Sequence, residues 1–69
     1  MFKKFEVALH NKEVKRLVKE GEKHKFLADE WADTHFIEVT APDEAEARKK
    51  ITRRYPPEQG FIVEMVRAL

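Results

Sequence analysis

The chain has 69 residues, 14 of them Lys or Arg and 13 Asp or Glu, for a net charge of +1. That length admits one domain with a small core, and a near-neutral balance supplies no long-range field to draw in DNA or RNA. Cysteine is absent, which removes disulfides, thiolate metal sites and cysteine nucleophiles, and no apolar run approaches the roughly 20 residues of a membrane-spanning helix.

Met1-Phe2-Lys3-Lys4 is basic but precedes no apolar stretch, so no secretory signal is expected and a cytoplasmic location is the default expectation. Phe2 to Leu9 then alternates, with Phe5, Val7 and Leu9 on one side and Phe2, Lys4, Glu6 and Ala8 on the other. Period two marks a half-buried strand. His10-Asn11 closes it, and Asn11 suits the N-cap of a helix beginning at Lys12. Val14, Leu17, Val18 and Gly21 fall at i, i+3, i+4 and i+7, the stripe of an amphipathic helix over about residues 12–20, with Gly21 near its end.

Residues 22–33 fit neither period. They hold Phe26, Leu27 and the only tryptophan, Trp31, among charges. A structureless loop of about 12 residues is uncommon in a compact domain, so either the first helix runs longer or a short helical turn around Asp29 to Ala32 packs Trp31 over the core edge, and the turn is the expectation.

The second half reads as strand, helix, strand. Thr34 to Thr40 is rich in β-branched and aromatic residues. After Ala41-Pro42-Asp43 comes a helix, Glu44 to Arg54, opened by Asp43 and Glu46 at capping-box spacing. Acids lead and bases follow along it, matching the helix dipole. Glu44–Arg48 and Glu46–Lys50 are i, i+4 pairs, and Ala47, Ile51 and Tyr55 form the apolar seam. Tyr55-Pro56-Pro57 stops the helix, and Gly60 admits a last strand, Phe61 to Val66.

These elements predict an α+β two-layer sandwich in the order β-α-β-α-β. A three-stranded sheet, from about residues 2–9, 34–40 and 60–67, carries two helices on one face. Strands two and three should run parallel, with strand one beside or between them. The expected core is Phe5, Val7, Leu9, Val14, Leu17, Val18, Ile37, Val39, Ala47, Ile51, Phe61, Val63 and Met65.

Three constellations bear on function. Arg48, Lys49, Lys50, Arg53 and Arg54 form a basic patch on the second helix. Such a patch suits phosphate contacts, but no aromatic RNA-recognition motif or helix-turn-helix spacing accompanies it. His24, Asp29, Asp33 and His35 flank Trp31 and offer N and O ligands without a compact metal-binding spacing, so no metal or cofactor is expected. Serine is absent, and two glycines cannot make a phosphate loop, so catalysis is not expected.

The third is the sheet face opposite the helices. Alternation places Phe2, Phe36, Ile62 and Val66 there around one central glutamate per strand: Glu6, Glu38 and Glu64. Contiguous apolar residues on an open face make a docking surface, with Lys4, Arg67 or a partner's bases to offset the glutamates. The residues therefore point to a non-catalytic protein-interaction or assembly module, a weak homodimer or the docking partner of another protein. Nucleic-acid binding through the basic helix is the alternative, and closure of the face by the Phe26–Leu27–Trp31 segment is the structural one.

Overall fold

The sheet is built around its first strand. In the computed structural model, which describes every residue from Met1 to Leu69, β1 (Lys3–Asn11) lies between β2 (His35–Ala41) and β3 (Phe61–Ala68). Both neighbours pair with it antiparallel, so β2 and β3 run in the same direction without touching. The expected α+β architecture and element order hold, and strand one takes the central place.

Two helices complete the second layer. α2 (Glu44–Arg54) lies across the sheet, while α1 (Lys12–Lys19) leaves the end of β1 and is backed mainly by a 3-10 turn, Asp29–Ala32. The turn stands where the sequence places it. Trp31 from that turn stacks on His35, centroids 4.2 Å apart, and meets Tyr55 and Phe61 at 5.4 and 5.3 Å. Leu27 and Trp31 therefore pack against the helix-side core, and Phe26 beside them is 88% exposed.

Each helix has a physical start and stop. Asn11 caps α1 by accepting from the N–H groups of Glu13 and Val14 at 2.9 and 3.1 Å. Its end is a Schellman arrangement: Gly21 sits at φ +75°, its N–H donates to Val18 C=O, and Glu22 N–H donates to Leu17 C=O. Asp43 caps α2 through Glu46 N–H at 2.9 Å. The reciprocal half of the expected capping box does not form, because Glu46 turns to Lys49 at 3.3 Å. The expected Glu46–Lys50 pair is likewise replaced, since Lys50 donates to the main-chain carbonyl of Thr40.

The core comprises Phe5, Val7, Leu9, Val39, Ala41, Ala47, Ile51 and Phe61, with Ile37, Tyr55, Val63 and Val66 partly buried against it. Val14 is also fully buried. Three expected members lie outside. Leu17 is only half-buried and does not pack against this cluster. Val18 is 42% exposed, because α1 runs beyond the sheet and is backed mainly by the Asp29–Ala32 turn. Met65 is 37% exposed, for a reason set by β3. The register of β3 on β1 slips between Ala8 and Leu9, so that Ala8 faces Met65 and Leu9 faces Val63. Glu64 is the extra residue of a β-bulge, which breaks the strict alternation.

Candidate interaction face

The bulge decides which side chains share the open face. Before it, Ile62 and Glu64 follow the expected parity; after it, Met65 and Arg67 point outwards while Val66 turns to the core. Val66, assigned to the open face from strict alternation, is therefore a core residue, and Met65 takes its place. Phe2 departs for another reason. It precedes β1, and its ring lies 5.7 Å from Lys50 Nζ on α2, so it stands by the helix end of the molecule.

The remaining side chains form an ordered surface. Phe36, Ala8 and Met65 stand directly opposite one another across the three strands, and Ile62 faces His10 in the adjacent row. Phe36 is 63% and Ile62 39% exposed. Ala8 is buried between its larger neighbours, so the row presents a bulky residue at each end and a shallow middle. No segment of the chain lies over it, since Phe26, Leu27 and Trp31 belong to the other side or to solvent.

The polar neighbours differ in how well they are satisfied. Arg67 lies opposite Glu6 and binds it through Nε and Nη2 at 3.0 and 2.9 Å. Glu38 lies opposite Glu6 on the other side and has no ion-pair partner, although like charges directly across strands repel. Glu64 accepts from Thr34 Oγ1 and His10 Nδ1, both at 2.8 Å. These bonds, the threonine's first, hold its carboxyl below the usual range.

The basic patch is mostly engaged. Arg48 meets Glu44 at 3.5 Å and Lys49 meets Glu46 at 3.3 Å, while Lys50 binds Thr40 C=O. Arg53 has no ion-pair partner, and the Arg54 guanidinium stands 5.6 Å from the Tyr55 ring. The residues considered as metal ligands are spread apart. His24 Nδ1 accepts from the N–H groups of Phe26 and Leu27 at 3.1 Å, and His35 Nε2 donates to Glu30 C=O at 2.9 Å. Asp29 opens the 3-10 turn and Asp33 ends it. The structure gathers no three His, Asp or Glu side chains around one point.

Met65 is the surface residue that sequence reasoning missed. Nothing in the run Phe61-Ile62-Val63-Glu64-Met65-Val66 marks a bulge, because both parities offer apolar residues. Comparison with protein-family models, with curated proteins and with solved structures found no match to this chain.

Proposed function

We propose that the chain is a non-catalytic protein-interaction module that docks through the open sheet face, with a second copy of itself as the partner. The observation that carries this reading is the uncovered row Phe36–Ala8–Met65 with Ile62 beside it. Burying such apolar surface is favourable at about 25 cal/mol per Å², and the chain leaves it to solvent.

The arrangement supports a second copy in particular. Turning one copy about an axis along β1, face to face with another, sets β2 of each over β3 of the other. Phe36 then meets Met65, Ala8 meets Ala8, and the unpaired Glu38 meets Arg67 of the second copy. Three strands at about 4.8 Å spacing and seven residues in length give a face of only about 15 by 23 Å. That is well below the roughly 800 Å² per partner of a standard interface, so the association is weak and concentration-dependent.

Sedimentation velocity tests it. Wild type should sediment faster as concentration rises towards about 1 mM, and a Phe36→Lys/Ile62→Lys variant should stay monomeric with an unchanged circular dichroism spectrum. A wild type that remains monomeric throughout removes the second copy as partner. A variant that unfolds shows instead that these side chains support the fold.

A further inference from the structure

A second surface lies on the outer edge of β2, away from the row Phe36–Ala8–Met65. Between that edge and α2 runs a groove of about 380 Å³. Val39 and Ile51, both buried, form its floor, and Lys50, Arg53 and Arg54 form its wall. By strand alternation the carboxylate of Glu38 belongs to the open face beside Glu6, so Glu38 gives the groove its main chain. The side-chain charge of the groove is therefore positive.

The main-chain edge is available as well. Leu69 N–H donates to Lys4 C=O at 2.9 Å, so the peptide groups of Lys4 face β3. Thr40 lies opposite Lys4 on the other flank, and in an antiparallel pair it must then turn its own N–H and C=O outwards. Glu38 and Phe36, two and four residues back, do the same. Lys50 occupies the carbonyl of Thr40, which blunts one end of the edge. Glu38 and Phe36 keep their outward donors and acceptors.

We propose that this groove takes an extended acidic peptide segment of another protein, added as a fourth strand on β2. Its backbone pairs with Glu38 and Phe36, and every second side chain faces α2, where the acidic ones meet Arg53 and Arg54 and the apolar ones settle on Val39 and Ile51. Strand addition of this kind draws affinity from main-chain bonds and specificity from alternate side chains. A nucleic acid would satisfy the two arginines, but its phosphates offer only acceptors to an edge that alternates N–H and C=O. Arg48 and Lys49, which a phosphate track along α2 would need, already hold glutamates.

The test uses the full chain and a labelled decapeptide with Glu and Val in turn at every second position and Thr between them, by fluorescence anisotropy and amide NMR. The peptide should bind, with the largest amide shifts at Phe36, Glu38 and Thr40. An Arg53→Glu/Arg54→Glu variant, folded by circular dichroism, should lose about ten-fold or more in affinity, whereas Ile62→Lys on the open face should bind as wild type does. A peptide of the same sequence with alternate backbone nitrogens methylated should bind markedly worse. Absence of binding at about 1 mM peptide, equal binding by the methylated peptide, or retention in the arginine variant overturns the proposal. Tighter binding of a single-stranded oligonucleotide of equal charge, lost in the same arginine variant, transfers the site to nucleic acid. These results are independent of sedimentation, so this site and the open face stand or fall separately.

Discussion

Asn11 is fully buried, and every polar atom of its side chain has a partner that explains why. Its oxygen caps α1, its amide donates to Gln59 C=O at 3.0 Å, and Lys12 N–H next to it donates to Gly60 C=O at 2.8 Å. One residue thus ties the end of β1, the start of α1 and the turn into β3. Gly60 makes the approach possible: it sits at φ +95°, and a Cβ there would come within 2.9 Å of Asn11 Oδ1 and 2.8 Å of Glu13 Cγ. Asn11→Ala should cost about 1–3 kcal/mol in denaturant unfolding, for the lost cap and the carbonyl left without its donor; a loss below about 0.5 kcal/mol would show that water replaces both. The capping role was legible in the sequence, because a side-chain oxygen before a helix stripe has a local meaning. The bond to Gln59 was not, because it joins residues 48 apart. Glu64 is a second such case. Its depressed pKa means that its contribution to stability is present above the ordinary glutamate value, about 4.3, and is lost as pH falls through the lower folded value. Removing the larger cause with Thr34→Val should raise the Glu64 carboxyl pKa in an NMR titration and reduce the stability lost on acidification, the pH window of that loss shortening from its low-pH end; an unmoved pKa would assign the shift to His10 alone.

At the scale of elements, the strongest local signals and the α+β arrangement survived, while some side-chain partners and the parity of part of β3 changed. The α1 and α2 spans, both N-caps and the Asp29–Ala32 turn stand close to their expected places, since caps, proline stops and dipole matching act within a few residues. Side-chain partners around α2 shifted, Glu46 from Lys50 to Lys49, because the nearby Thr40 carbonyl competes for Lys50. The larger change is the bulge in β3, which exchanges the environments of two adjacent apolar residues. It makes an unusual pair of expectations for neighbours of similar size. Val66→Lys puts a charge against the core and should lower the unfolding midpoint strongly, whereas Met65→Lys places it on the open face and should leave the midpoint nearly unchanged while weakening self-association. Thermal melts of the two variants check this directly. The reverse order of stabilities would mean that β3 keeps strict alternation and that the open face is the one read from the sequence, with Val66 on it.

The whole molecule is long and thin, 45 × 19 × 14 Å, and only 12 of its 69 residues are buried. One small core thus holds α2 to the sheet, and by the usual range per residue the total stability is on the order of 3–10 kcal/mol. Within that core Ile51 is the one large side chain of α2 with no exposed surface, its helix neighbour in the core being Ala47. The rest of α2 is mostly charged and faces solvent, and its exposed ion pairs each contribute at most about 0.5 kcal/mol. Packing at Ile51 therefore outweighs everything else that keeps α2 in place. Ile51→Ala should cost about 2–5 kcal/mol, a large share of the total, and in denaturant unfolding the midpoint should fall steeply with the slope unchanged. Because the same residue floors the groove beside β2, the variant should also bind the acidic peptide less well under conditions where it remains folded. A cost under about 1 kcal/mol would mean that the space closes over or that α2 is held from elsewhere, and the two-layer account of this fold would lose its main support.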